Sequence, residues 1–250
     1  TAAEVARLLG GTVEGQPGVE LTGAEVDSRR VAPGDLFVAL PGERRDGHEF
    51  VAAALAVAAA ALVRADVELA PPPAGRALIR VAEPLAAYHA LAAHDRGVRS
   101  WRVAAVTGSI GKTTTKGMLA ALLAPHLATG ASSGNRNSTL GLPAELLSQP
   151  PGIEVFVAEA GMSRPGELAA LGAILRPQVL LYTRIAPVHT EFFPDLEGIV
   201  RAKAELLPWL DPEGTLVVNA DDPHQAAYPG AVRARVLAYG PGAAARIEEV

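Results

Sequence analysis

The segment Thr107-Gly108-Ser109-Ile110-Gly111-Lys112-Thr113 holds the residue types that binding a phosphate chain requires. Glycines let the backbone curl until its N–H groups face an anion, and a helix starting at once adds the partial positive charge of its N-terminus. Lys112 then reaches the terminal phosphates and the Thr113 hydroxyl takes Mg²⁺. The strict pattern has one more glycine, at the position where Val106 stands. A glycine turn followed by a chance Lys-Thr is the bland reading. The strand before it and the helix after it favour a nucleotide-phosphate site built from Gly108, Ser109, Gly111, Lys112, Thr113 and Thr114.

Three further residues fall where such a site needs them. Glu159 ends the apolar stretch Val155-Phe156-Val157-Ala158, and a carboxylate there suits Mg²⁺, which takes oxygen ligands. It also reads as a solvated strand-end glutamate. His189 follows another apolar stretch, whereas His48, His89, His94, His126 and His224 have no such placement. A lone loop histidine is more often structural than a ligand. Lys203 lies on an apolar stripe with Leu196, Ile199, Val200, Leu206, Leu207 and Leu210 at helical spacing, while Arg201 and Glu205 are set to pair on another face. Either Lys203 snorkels to an edge, or desolvation lowers its pKa and frees the amine for chemistry. The pattern leaves both open.

Positioning these groups requires strands that alternate with helices. From Arg102 onward, apolar strands at 103–106, 153–158, 179–185 and 215–218 are separated by helices at 113–123, 166–175 and 196–207. That alternation gives a parallel sheet with right-handed crossovers, whose ligands gather beyond the carboxyl ends of the strands. The preceding part reads as a small α/β unit. It has helices at 2–9, 50–60 and 83–96, strands at 36–40 and 61–63, and an exposed connection at 71–75. The expected fold class is α/β: a small N-terminal α/β domain over 1–82, then a mostly parallel-sheet domain of the P-loop ATPase type over 83–250, its repeated units opening at the break before Trp101.

Composition narrows the partners. Among 250 residues the formal net charge is −5, which supplies no basic field for nucleic acid. The absence of cysteine removes disulfides, thiolate metal sites and a cysteine nucleophile. The longest apolar run, 51–63, is alanine-rich and too short to span a bilayer, and no signal peptide opens the chain. A cytoplasmic monomer is the default expectation.

Taken together, several motifs resemble the Mur ligase family, the ATP-dependent amide-forming enzymes of peptidoglycan precursor synthesis. They are Asp27-Ser28-Arg29 with Pro33-Gly34-Asp35 and Asp46-Gly47-His48; Thr107 through Lys116; Gly134-Asn135-Arg136-Asn137 with Gly141-Leu142-Pro143; Glu159-Ala160-Gly161 with Gly166-Glu167; Ala202-Lys203-Ala204-Glu205; and Asn219 through Pro223. The resemblance implies a ligase that joins D-alanyl-D-alanine to a UDP-muramyl tripeptide through an acyl phosphate, using ATP and Mg²⁺. It implies Ser28 and Arg29 at the uridine end of the substrate, on an N-terminal substrate-binding domain. Asn135 and Asn137 would face the site between ATP and substrate, and Asn219 the adenine. Lys112 and Thr113 would grip ATP and Mg²⁺, Glu159 and His189 would hold metal, and Lys203 would carry CO₂ as a carbamate. The chain departs from the family at Val188-His189-Thr190-Glu191, where Ala-His-Leu-Glu is usual, and at Ser138, where a second Asn is usual. The family's third, amine-binding domain is not matched, so the sequence reads as a fragment that does not complete ligation alone. A ligase adding another amino acid, a more distant folylpolyglutamate synthase relative and a non-catalytic nucleotide-binding module are the competing readings.

Overall fold

The structure is a computed structural model that describes residues 1–42, 45–188, 191–241 and 243. Two compact units divide the chain, one comprising 1–98 with 143–149 and the other 99–142 with 150–250.

In the first unit, strands β1 (Thr12–Gly15), β2 (Gly23–Glu25), β3 (Asp35–Val38), β4 (Ala60–Arg64) and β5 (Ala77–Val81) form a sheet in the order β1-β5-β4-β3-β2. β1 runs antiparallel to β5, and the other pairs are parallel. Helix α1 (Ala2–Leu8) starts at a capping box in which Thr1 and Glu4 satisfy each other's backbone N–H. The helix expected over 50–60 is corrected: α2 (Val51–Ala54) is a single turn after a 3₁₀ turn. Alanine favours helix, but β4 is the central strand and Ala60 through Val63 are fully buried in it. A short apolar run has no period that separates a buried strand from a buried helix, and tertiary burial decides. Phe37, Val51, Leu55, Val63 and Leu78 meet in the core beneath. Helix α3 (Pro84–Val98) belongs to this unit, so the division falls after Val98, at the break before Trp101 that the sequence marks, and not at the 82/83 bound.

The second unit holds β6 (Arg102–Thr107), β7 (Thr129–Ala131), β8 (Val155–Glu159), β9 (Val179–Tyr182), β10 (Thr215–Asn219) and β11 (Arg235–Tyr239) in the order β11-β10-β9-β6-β8-β7. Every pairing is parallel, as the strand-helix alternation requires. The connecting helices are α4 (Lys112–Leu123), α5 (Gly141–Leu147, which runs on into the first unit), α6 (Glu167–Leu175) and α7 (Leu196–Ala204). From β6 the chain winds to β7 and β8 on one side, then crosses to β9, β10 and β11 on the other. The winding direction therefore reverses around β6, and in such sheets the crevice beyond that point is the ligand site. Leu119, Ala120 and Leu123 of α4 pack on Val106, Val155 and Val157, fixing the helix over the sheet. Among the described residues no helix is long and apolar enough to cross a membrane.

Candidate functional site

The turn after β6 is shaped by its glycines and by the segment after β9. Gly108 has φ +140°, and a Cβ there would collide with the Thr183 hydroxyl. Gly111, at φ +88°, is the residue before α4 and bends the chain into the helix. The Ser109 N–H donates to the Arg184 carbonyl at 2.7 Å, the Ser109 hydroxyl donates to the Ala186 carbonyl at 2.8 Å, and the Thr183 hydroxyl donates to the Thr107 carbonyl at 3.1 Å. Asp222, buried, anchors the same segment by accepting from the Ile185 N–H at 2.7 Å and from the Gln225 amide at 3.0 Å. The 183–186 segment thus acts as a brace for the loop.

Beside this loop lies a cavity of about 280 Å³ whose lining includes Gly108, Lys112, Asn135, Asn137, Glu167 and Lys203. Lys112 donates to the Ser109 carbonyl at 3.1 Å, and burial pulls its pKa down against the opposing pull of Glu159. Lys203 is 2% exposed and does not snorkel: its amine donates to the Gly108 carbonyl at 2.8 Å. Burial first, and the Lys112 charge second, lower its pKa to about 7. The Tyr182 hydroxyl donates to the Lys203 carbonyl at 2.7 Å, and the Tyr228 hydroxyl to the Val200 carbonyl at 2.8 Å, pinning the end of α7. The expected Arg201–Glu205 pair is corrected. Arg201 sits 3.8 Å from Glu197, while Glu205 accepts from the Gly166 and Ala169 N–H groups at the start of α6.

Glu159 lies at the end of β8, 2% exposed. Its Oε1 accepts from the Asn137 amide at 2.7 Å, and its own N–H donates to the Ser132 hydroxyl at 3.0 Å. Oε2 is buried with no hydrogen bond, and the Lys116 ammonium stands 3.6 Å away. A buried oxygen left open suits a hard cation, so Glu159 fits the Mg²⁺ role on donor chemistry.

Of the residues singled out by sequence, Gly108, Lys112, Asn135, Asn137 and Lys203 meet around one cavity, with Glu159 joined to it through Asn137. Thr113 and Thr114 are exposed on the first turn of α4 and are not part of its lining. Asn219 ends β10, two strands from β6, where its side-chain oxygen accepts from the Asp221 N–H at 3.0 Å. His189 lies outside the described residues. Ser28 and Arg29 belong to the first unit, where Arg29 grips Asp27 at 2.7 and 2.9 Å and holds that carboxyl down at about 2. Sequence reasoning missed Lys116, Tyr182 and the Asp222–Gln225 pair as parts of the site's frame. A signal existed for Lys116: four residues after Lys112, it shares that residue's helix face.

The chain matches the Mur ligase middle domain over residues 106–249 and the Mur ligase family catalytic domain over residues 20–98. It is 36% identical over 226 residues to the UDP-N-acetylmuramoyl-tripeptide–D-alanyl-D-alanine ligase of Bacillus subtilis, covering 89% of this chain and 49% of that protein. With the Escherichia coli ligase of the same name it shares 35% over 225 residues, covering 89% and 48%. The fold superposes on MurF of Acinetobacter baumannii with a TM-score of 0.87 at 32% identity, covering 100% of this chain and 55% of that one. On the MurF ligase of Thermotoga maritima in complex with ADP the TM-score is 0.77 at 31% identity, covering 90% and 51%. The chain thus spans about half the length of the relatives it matches. With the middle-domain match alone taking in more than half of its residues, this chain belongs to the Mur ligase family.

Proposed function

We propose that this chain is the substrate-binding and ATP-binding part of a ligase that uses ATP to join D-alanyl-D-alanine to a UDP-N-acetylmuramoyl-tripeptide. The observation that carries the reading is the cavity in which the phosphate-loop lysine, Lys112, and the buried Lys203 face one another beside Gly108. Relatives with this name, and a similar ligase solved with ADP, support it.

A carboxylate is a poor electrophile and must be activated before an amine can displace oxygen from it. The γ-phosphoryl group passes from ATP to the tripeptide carboxylate, ADP departs, and an acyl phosphate forms. The amine of D-alanyl-D-alanine attacks the acyl carbon, loses a proton, and expels inorganic phosphate. Lys112 and the N–H groups of 111–113 at the start of α4 hold the phosphates in line and offset their charge, the main protein contribution to phosphoryl transfer. When bound, Mg²⁺ adds positive charge on the phosphate oxygens, with Glu159, Thr113, His189 and a carbamylated Lys203 as the groups that would hold it. The neutral Lys203 amine that burial favours is the form that adds CO₂, releasing a proton as the carbamate forms. Asn219 is assigned to the adenine, Asn135 and Asn137 to the space between ATP and substrate, and Ser28 with Arg29 to the uridine nucleotide.

The test is phosphate release by a full-length ligase containing this sequence, with UDP-muramyl-tripeptide or UDP-muramyl-dipeptide and candidate amines. We expect turnover only with the tripeptide and D-alanyl-D-alanine, and a loss of roughly 10³-fold or more in Lys112→Ala. Equal turnover with the dipeptide and a single amino acid sinks the substrate assignment.

A further inference from the structure

Lys116 is 5% exposed, on the inward face of α4, one turn beyond Lys112. It is the only buried residue of that helix, which otherwise presents intermediate or exposed positions. Its ammonium donates to the Gly134 carbonyl at 3.1 Å and lies 3.6 Å from Glu159 Oε2. The Gly134 carbonyl belongs to the same loop as Asn137, whose amide holds the other Glu159 oxygen at 2.7 Å and whose carbonyl accepts from the Gly161 N–H at 2.8 Å. Lys116 therefore links Glu159 to the loop that carries Asn137, through the Gly134 carbonyl. A long side chain is sequestered here with the carboxylate as its nearest anion, at a spacing too wide for a direct hydrogen bond. This geometry leaves Glu159 Oε2 aligned and charge-balanced without being tied down.

We propose that Lys116 is a positioning residue: it fixes the Glu159 carboxylate and the 134–137 loop in the one arrangement that admits a divalent cation beside the nucleotide. The proposal rests on the nucleotide-site reading above for its ligand, and on the observed contacts alone for its frame. A merely structural buried lysine would contribute to folding stability and leave the response to cation unchanged. A positioning lysine sets that response. Groups that orient metal ligands from behind typically alter metal affinity by roughly 10–100-fold when removed.

The experiment measures ADP affinity by calorimetry with and without Mg²⁺, in the parent chain and in K116M, K116R, E159Q and K116M/E159Q. Side-chain amide exchange of Asn137 is followed by NMR in the absence of any ligand. In K116M the gain in ADP affinity on adding Mg²⁺ should fall roughly tenfold, as in E159Q, while metal-free ADP affinity stays within about twofold. The double variant should be no worse than E159Q, because both substitutions remove one arrangement. K116R should retain part of the gain, since the charge is kept. Asn137 amide exchange should accelerate in K116M and not in M118A, a change at an exposed position of the same helix. A K116M variant with the parent's full Mg²⁺ gain, or losses that multiply in the double variant, overturns the proposal. If K116M does not fold, K116R decides: unchanged Asn137 exchange and an unchanged Mg²⁺ gain in that variant overturn it. A parent chain that binds no ADP would sink the nucleotide-site reading instead, and Asn137 exchange would still decide the role of Lys116.

Discussion

Lys203 has a side chain whose environment and chemistry can be tested separately. Its pKa is lowered from the ordinary 10.5 to about 7 by burial, so the folded chain holds a proton less tightly than the unfolded one. Above pH 10.5 neither state is protonated and stability is unaffected. As pH falls toward 7 the unfolded state gains the proton first, and stability is lost progressively; below 7 the loss is complete. Each tenfold drop in proton affinity corresponds to about 1.4 kcal/mol, and the hydrogen bond to Gly108 returns about 1 kcal/mol. Lys203→Met is therefore expected to be more stable than the parent at pH 7, by on the order of 3–4 kcal/mol, with the difference vanishing near pH 10. Urea denaturation at the two pH values measures this, and a pH-independent difference would falsify the linkage. In a full-length ligase the same change should abolish turnover, which separates the stabilising removal of a buried amine from the loss of its chemistry.

At the scale of elements, the loop between β6 and α4 depends on a close approach that only glycine permits. Gly108→Ala places a methyl against the Thr183 hydroxyl at a φ that side chains rarely adopt. A loss of about 2–3 kcal/mol in stability is expected, and Gly108→Ala with Thr183→Ala should recover the steric part but not the backbone part. Recovery of the whole loss would assign the requirement to space alone. This unit was the most legible in the sequence, because strand, loop and helix each carry their own signal and agree. Elements with few residues or mixed polarity were not legible. The strand β7 reads Thr-Gly-Ala, β11 is half exposed at the sheet edge, and β5 follows a proline-rich connection. Their pairing is decided by partners distant in sequence. The site divides along the same line. Lys203 stood out because a charge interrupts a long apolar stripe, whereas Lys116 only opens the short stripe of Leu119, Ala120 and Leu123, after a polar first turn. Its burial comes from the loop at 134 and the end of β8, and neither contact leaves a local trace in the sequence.

At the scale of the molecule, the two units have their own sheets, and among the described residues those lining the phosphate cavity all come from the second. Ser28 and Arg29, the residues assigned to the uridine end of the other substrate, come from the first. A ligand that uses only the cavity should therefore leave its mark on one unit. Hydrogen exchange with saturating ADP and Mg²⁺ is expected to slow amides of the 107–112 loop, the 183–188 segment that braces it, and the 134–137 loop that lines the same cavity. At a ligand concentration of about 100 Kd the linked stabilisation approaches roughly 2.7 kcal/mol, so amides that exchange through opening of this site should slow by up to roughly 100-fold. Amides of β1 to β5 should stay within error of the unliganded chain. Protection near Ser28 and Arg29 should require the uridine nucleotide. If ADP alone protects the first unit's sheet, the division of labour between the units is wrong, because the nucleotide would then stabilise residues that contribute nothing to its cavity.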